Sequence, residues 1–242
     1  MSQTAAPLTF EVTRRTDPRP DGEREAVLAD PKFGTTFTDH MVTATWREGE
    51  GWADAKVVPY GPIQLMPSAA VLHYAQEIFE GMKAYRHEDG SIWTFRPEAN
   101  AQRMIRSARR MTLPALPEDD FIASLRALVE ADRAWVPAGD GEKSLYLRPY
   151  MYASEAFLGV RPAREVTYSV IASPAAPTPG RTRSARRYWP TRSSAPPSPT
   201  TWSRRPGAKV RGGRAARSRH TAPSRSCPRR RCCTMPRRSS RA

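Results

Sequence analysis

The chain has 242 residues and carries 39 Lys and Arg against 24 Asp and Glu, a formal charge of +15. Residues 176–242 hold 19 of the basic residues and no acidic one, so the first 175 residues, with 20 basic and 24 acidic side chains, are mildly acidic. No run of 18 apolar residues exists, which excludes a transmembrane helix. The N-terminus lacks the basic start and apolar core of a signal peptide. We therefore expect a cytoplasmic protein.

All three cysteines, Cys227, Cys232 and Cys233, lie in the basic tail. The first 226 residues can form neither a disulfide nor a thiolate metal site, as expected for a cytoplasmic chain. Only His220 lies near the cysteines, and the spacing fits no zinc motif. We predict no metal site.

The first 58 residues divide into an arm and a hairpin. Residues 1–30 are polar and charged, and we expect a loosely attached N-terminal arm. Residues 39–46 are rich in β-forming side chains, and a Gly-Glu-Gly turn separates them from residues 52–58. This pattern predicts two paired strands.

A helix and a second hairpin are predicted next. Ser68 can cap a helix that runs to about Phe79, because the apolar residues between them follow the helical period. Residues 82–86 and 91–95 flank an Asp-Gly turn, which is a strong hairpin signal.

Two helices and two strands follow. Pro97 suits the first turn of a helix that runs to about Met111, and Pro117 opens another. Residues 144–153 and 166–172 have the composition of strands. Strands joined by short turns, with helices inserted between them, predict an α+β fold.

The tail has almost no side chains that a core could bury. It consists mainly of Arg, Pro, Ser, Thr, Ala and Gly. Such a segment cannot recover an ordering cost of about 1–2 kcal/mol per residue, so we predict disorder. The predicted organisation is an arm (1–30), a folded domain (31–175) and a disordered tail (176–242).

Four segments of the folded part resemble consecutive signature segments of branched-chain amino-acid aminotransferases, which are fold-type IV pyridoxal-phosphate enzymes. They are FGTTFTDHM (33–41), YAQEIFEGMKAY (74–85), FRPEANAQRM (95–104) and SLYLRPYMYASEAFLGV (144–160). The resemblance is collinear and implies the N-terminal small domain of that family. It further implies pyridoxal 5'-phosphate as cofactor, amino-acid and 2-oxo-acid substrates, and a homodimer.

The resemblance assigns Arg103 to the cofactor phosphate, a role that suits a forked cation. Its alternative is a solvent-facing arginine on a basic helix. Tyr146 and Arg148 match a Tyr-x-Arg pair that lines the substrate pocket on the carboxylate side. Their i, i+2 spacing puts both side chains on one face of a strand. The alternative is an ordinary strand with an outward arginine.

Four further residues match apolar pocket positions that would hold a Leu, Ile or Val side chain: Phe33, Tyr74, Phe79 and Val160. Their alternative is plain hydrophobic core. Lys83 does not match the catalytic lysine of the family and is expected to be solvated. The Schiff-base lysine has no counterpart in the chain, so no catalytic residue is assigned and the chain is expected to be inactive.

The resemblance stops after residues 172–175, where the family continues with Gly-Ala-Tyr and this chain reads Ala-Pro-Thr. Gly-Ala-Tyr can be encoded GGC GCC TAC, and loss of the first G leaves GCG CCT AC, which reads Ala-Pro-Thr. We therefore hypothesise a frameshift near codon 175, so that the tail is out-of-frame translation.

Two alternatives remain open. A genuine basic tail would bind nucleic-acid phosphates without sequence specificity, and Trp189 and Trp202 could stack on bases. Another fold-type IV enzyme, a D-amino-acid aminotransferase or an aminodeoxychorismate lyase, is the nearest alternative activity.

Overall fold

The structure is a computed structural model that describes residues 7–138 and 143–177. The predicted disorder of the tail and its cysteines and tryptophans lie outside the described residues. Within those residues the fold is α+β, as predicted. No helix in the described part of the chain is long and apolar enough to cross a membrane.

The described residues form a mixed sheet of eight strands in the order β1-β3-β2-β8-β7-β5-β6, and β4 also pairs with β7. All pairings are antiparallel except that of β1 with β3. The strands are β1 (Glu11–Val12), β2 (His40–Arg47), β3 (Gly51–Pro59), β4 (Glu77–Phe79), β5 (Met82–Arg86), β6 (Ile92–Thr94), β7 (Ser144–Ala153) and β8 (Glu165–Ala175). The helices are α1 (Asp21–Ala29), α2 (Ala70–Tyr74), α3 (Pro97–Arg110) and α4 (Glu118–Ala131), and a short 3₁₀ turn covers Arg133–Trp135.

Most of the predicted elements are confirmed. The first predicted hairpin is β2–β3, and the second is β5–β6 around its Asp-Gly turn. The helices that the prolines predict are α3, which begins at Pro97, and α4, which follows Pro117. The last two predicted strands are β7 and β8, and β8 runs three residues further than expected, to Ala175.

The helix predicted from Ser68 to Phe79 is present only in its first half, and Ser68 does not cap it. The helix α2 stops at Tyr74, because Ala75 adopts a left-handed conformation (φ 48°) in which its N–H still bonds to the carbonyl of Val71. The chain then becomes β4 and pairs with residues 150–152 of β7. Tertiary pairing with a long neighbouring strand has outweighed the helical period.

Residues 7–30 are not the loosely attached arm that the composition suggested. The Leu8 N–H donates to the Asp120 carboxylate (2.8 Å), and β1 pairs with β3. Lys143 Nζ donates to the carbonyl of Leu28 (3.1 Å) at the end of α1. Backbone groups of the polar segment find partners on the domain, and these bonds hold it there.

The core lies on one face of the sheet, where α3 and α4 pack. Helix α4 buries Phe121, Leu125, Leu128 and Val129, the face that its apolar period predicted. These side chains belong to one hydrophobic cluster with the buried residues of the central strands, which are Val42, Ala44, Leu145, Leu147, Met151, Val166, Tyr168 and Val170. The Tyr168 hydroxyl lies 2.8 Å from Ser124 Oγ, so the polar tip of this buried ring is bonded.

A buried polar pair joins β2 to the end of α4. His40 Nδ1 lies 2.6 Å from Asp132 Oδ1, and the His40 N–H donates to Oδ2 (3.1 Å). The Arg15 N–H donates to His40 Nε2 (2.9 Å), so Nε2 is an acceptor and Nδ1 carries the proton. One imidazole therefore links the N-terminal segment, the sheet and the helix layer.

We expect Asp132→Ala to destabilise the domain by about 3–5 kcal/mol, because it leaves a buried imidazole and a backbone N–H without their acceptor. The matched control is Glu48→Ala, which removes an exposed ion pair with Arg164. Urea unfolding followed by circular dichroism measures both. Equal midpoints for the two variants would contradict the proposed importance of the buried pair.

Candidate functional site

Alternation along β7 separates the core from the candidate site. Leu145, Leu147 and Met151 point into the helix-covered core, and all three are fully buried. Tyr146 and Arg148 point to the opposite face and are half-buried, because neighbouring side chains of a strand lie on opposite faces. Lys83, which was expected to be solvated, pairs with Tyr146 across β5 and β7 and is half-buried.

Four of the predicted site residues form one cluster on this face. Arg148 Nε donates to the Tyr146 hydroxyl (3.0 Å), and its guanidinium lies over the Phe79 ring, 4.4 Å from the centroid. The Phe33 ring meets the Tyr146 ring edge-on, with centroids 4.8 Å apart. Arg148 is thus bonded and stacked instead of pointing freely outward.

The segment that carries Phe33 is anchored along β8. The Gly34 N–H donates to Ser173 Oγ (3.2 Å), and the Thr38 N–H donates to the carbonyl of Ala172 (3.0 Å). Ser173 is the cross-strand partner of Tyr146. These bonds place the Phe33 ring beside Tyr146.

Gly81 makes room for the Tyr146 hydroxyl. A Cβ at position 81 would overlap that oxygen and lie 3.1 Å from Cζ of the same ring. The close approach requires a residue without a side chain. Gly81 therefore determines where the hydroxyl of Tyr146 stands relative to Arg148.

We expect Gly81→Ala to displace the Tyr146 ring and break its hydrogen bond with Arg148, with little loss of core packing. The change is measured by nitrogen-15 NMR of the Arg148 Nε–H group, which should shift and exchange faster. Gly61→Ala is the matched control, because a Cβ there meets only a backbone oxygen at 3.9 Å. An unchanged Arg148 signal in Gly81→Ala would contradict this role.

Arg103 extends from α3 to Glu80, which lies between β4 and β5. Its Nε donates to Glu80 Oε1 (2.7 Å) and its Nη2 donates to Oε2 (2.6 Å). Asn100 Nδ2 donates to the same Oε2 (2.8 Å). The hydrogen bonds with Glu80, and then its negative charge, raise the pKa of the Arg103 guanidinium. The side chain of Arg103 is 59% exposed, whereas that of Glu80 is 2% exposed.

The core alternative is wrong for the four apolar site residues. Phe33, Tyr74, Phe79 and Val160 are 59%, 46%, 60% and 101% exposed. Phe33 and Phe79 belong to the cluster, but no hydrogen bond or ring contact described for this part of the chain joins Tyr74 or Val160 to it. The helix α2, which carries Tyr74, is bonded to the segment that precedes Val160, since the Ala70 N–H donates to the carbonyl of Glu155 (2.9 Å).

The loop that carries Val160 is held at its base by Glu155. The carboxylate of Glu155 accepts bonds from Arg161 Nη2 (2.7 Å) and from the Arg164 N–H (2.6 Å). The bond from Arg161 is the largest cause that lowers the pKa of Glu155. The stabilisation is therefore present above the ordinary glutamate pKa of about 4.3 and is lost as the pH falls through the lowered value.

We expect the amide proton of Arg164 to shift and lose exchange protection as the pH falls through the lowered pKa of Glu155, because protonation of this carboxylate removes the acceptor of the amide. Proton–nitrogen NMR between pH 7 and pH 3 measures this. Glu155→Gln should remove the pH dependence. A constant Arg164 signal down to pH 3 in the unmodified chain, with the fold intact, would contradict it.

Sequence reasoning missed Glu80, Gly81 and Asn100. A carboxylate beside a glycine within the apolar stretch 78–82 was a signal, because a buried charge needs a partner. The spacing of Asn100 and Arg103 was a second signal, since residues three apart share a helix face.

Comparison with curated proteins identifies relatives of the first part of the chain. It is 58% identical over 171 residues to the branched-chain-amino-acid aminotransferase of Mycolicibacterium smegmatis, which is 71% of this chain and 46% of that one. It is 56% identical over 172 residues to that of Mycobacterium tuberculosis (71% and 47%). It is 58% identical over 167 residues to a probable enzyme of the same name in Streptomyces coelicolor (69% and 46%). The chain spans about half the length of these relatives.

Comparison with solved structures gives weaker likenesses. The branched-chain amino acid aminotransferase from Escherichia coli matches with a TM-score of 0.39 and 22% identity, over 57% of this chain and 41% of that one. The branched-chain aminotransferase of Thermoproteus uzoniensis, with norvaline, matches with a TM-score of 0.38 and 22% identity, over 54% and 40%. No protein-family model matches the chain.

Proposed function

We propose that this chain, which over its first 70% is homologous to branched-chain-amino-acid aminotransferases, carries the N-terminal small domain of such an enzyme. The proposed reaction of the complete enzyme moves an amino group between leucine, isoleucine or valine and 2-oxoglutarate. The observation that carries the proposal is the Tyr146–Arg148 pair with its two flanking phenylalanine rings.

The pair supplies directed donors for a carboxylate. Arg148 donates from Nε to Tyr146, and no hydrogen bond described for this part of the chain uses the N–H groups of its two Nη atoms, so they can donate to a ligand. Because the Tyr146 hydroxyl accepts that bond, its own proton is available to a second acceptor. Charge-assisted bonds from a guanidinium and a hydroxyl suit the carboxylate of an amino acid or the second carboxylate of an oxo acid.

The rings beside the pair suit an aliphatic side chain. Phe33 and Phe79 expose more than half of their surface beside Tyr146 and Arg148. A leucine, isoleucine or valine side chain that covers these rings removes apolar area from water, at about 25 cal/mol per Å². We propose that Tyr74 and Val160 join this surface only in the complete enzyme.

We propose pyridoxal 5'-phosphate as the cofactor, which when bound supplies an electron sink for a carbanion at the substrate α-carbon. The fit of this chain rests on Arg103, whose exposed and permanently charged guanidinium lies at the edge of β4 and suits a phosphate. Lys83 shares the face of Tyr146 but stands outside the family position of the catalytic lysine. The chain therefore supplies binding groups and no assigned catalytic residue.

We further propose that the frame changes near codon 175 and that the complete enzyme is a cytoplasmic homodimer. Homology that spans 171 residues, about the length of the arm and folded domain together, supports the frame change. The composition also changes at residue 176, directly after the end of β8. The proposed segment boundaries remain 1–30, 31–175 and 176–242, although residues 7–30 are bonded to the domain that follows them.

We expect the purified 242-residue chain to show no leucine–oxoglutarate transamination, because no lysine in it matches the catalytic position. Restoring one nucleotide before codon 176 should produce activity. In that repaired enzyme, Arg148→Ala should raise the KM for 2-oxoglutarate about tenfold or more, because it removes at least one charge-assisted hydrogen bond to the substrate. Steady-state assays with leucine, isoleucine and valine measure these effects.

The control for Arg148→Ala is Arg24→Ala, which removes an arginine of α1 that is bonded only to Asp21 on the same helix among the described contacts. Its KM values should match those of the unmodified enzyme. Transamination by the 242-residue chain would contradict the predicted inactivity. A repaired enzyme that prefers D-amino acids, or that cleaves aminodeoxychorismate, would contradict the proposed substrate class.

A further inference from the structure

We propose that Glu80 is a positioning residue, which holds one edge of the Arg103 guanidinium so that the other edge is presented to a phosphate. The choice of phosphate rests on the proposed function, whereas the positioning rests on the geometry of the strand and helix. Nothing in the resemblance assigns a role to Glu80.

The bond between the two side chains is a two-point contact. Arg103 Nε and Nη2 donate to the two carboxylate oxygens of Glu80, at 2.7 and 2.6 Å. A guanidinium has five N–H groups in one plane, so a paired contact along one edge fixes the direction of the remaining donors. The edge formed by Nη1 and Nη2 still carries free N–H groups, and Glu80 is the partner that the structure describes for Arg103.

Glu80 is the fixed member of the pair. It is 2% exposed, and its N–H donates to the carbonyl of Pro149 on β7 (2.8 Å). The amide of Asn100 adds a third bond to the carboxylate (2.8 Å). Arg103 is largely exposed, so the carboxylate constrains the guanidinium and not the reverse.

The open edge of Arg103 lies beside a basic groove. A groove of about 410 Å³ between α3 and β4 is lined by Arg103, Arg106 and Arg110, with Glu77 on the strand side. The three arginines share one face of α3 at spacings of three and four residues. A dianionic phosphate in this groove would meet directed donors from Arg103 and the charge of its two neighbours.

Charge and positioning predict opposite effects for the loss of Glu80. If Glu80 acted only as a negative charge beside the groove, its removal would strengthen the binding of an anion. If it positions Arg103, its removal lets the guanidinium move among several orientations and weakens binding. The sign of the change in affinity therefore distinguishes the two roles.

The test is a titration of the full 242-residue chain with inorganic phosphate, and then with pyridoxal 5'-phosphate, followed by nitrogen-15 NMR of the Arg103 side chain. A site-specific signal is needed because the 19 basic residues of the tail also attract phosphate. The Arg103 signal is assigned by its loss in Arg103→Lys. In the unmodified chain we expect phosphate to shift the Arg103 resonances while Nε–H stays protected by Glu80.

Glu80→Gln is expected to weaken phosphate at this site about tenfold, as for one bond to a charged group. The matched control is Glu77→Gln, which removes a carboxylate from the same groove without touching Arg103 and should strengthen phosphate slightly. If Glu80→Gln unfolds, Arg103→Lys is the variant that tests the proposal, and phosphate binding is then followed through the Asn100 side-chain signal. Lysine keeps the positive charge but lacks the forked donors, so this variant should also bind phosphate about tenfold more weakly.

Unchanged or stronger phosphate binding in Glu80→Gln, or in Arg103→Lys where the first variant unfolds, would overturn the positioning role. An Arg103 signal that does not respond to phosphate would overturn it as well. Phosphate binding that depends on Glu80, together with pyridoxal phosphate that binds no better than inorganic phosphate, would support the positioning role and contradict the proposed cofactor.

Discussion

The ten residues of β7 hold the core and the candidate site at once, because alternate side chains of a strand point to opposite faces. Leu145, Leu147 and Met151 lie in the same core cluster as the buried residues of the two long helices, and Tyr146 and Arg148 lie on the other face. Three strands pair with β7, namely β8 on one side and β4 and β5 in succession on the other. The candidate site therefore depends on the same strand that contributes to the core.

The two residues between β4 and β5 also serve opposite faces of the sheet. Glu80 turns to the helix side and holds Arg103, whereas Gly81 on the other face leaves space for the Tyr146 hydroxyl. Opposite these two residues, β7 carries Pro149, which has no N–H to donate to a neighbouring strand. The interruption of pairing, the buried carboxylate and the close approach of the tyrosine thus occur at one point of the sheet.

Local sequence patterns correctly predicted the elements that tertiary packing also favours. Examples are the Asp-Gly hairpin and the helices α3 and α4, which begin at or directly after a proline. The segment from Ser68 to Phe79 failed, because pairing with β7 outweighed its helical period after Ala75. Strand spacing predicted that Tyr146 and Arg148 share a face, and the resemblance supplied Phe33 and Phe79. Contacts between residues far apart in sequence, such as Glu80 with Arg103 or Gly34 with Ser173, have no periodicity that a single sequence displays.

The change in composition after Ala175 matters most for the activity of this chain, and the nucleotide sequence of the gene tests whether a frameshift causes it. Sequencing across codons 165–210 and translating all three frames is the direct measurement. We predict that a shifted frame continues after Ala175 with Gly-Ala-Tyr and reaches an Ala-Lys-x-Gly-Gly-Asn-Tyr segment. If no frame contains that segment, the basic tail is genuine and the assignment of this gene to a complete aminotransferase is contradicted.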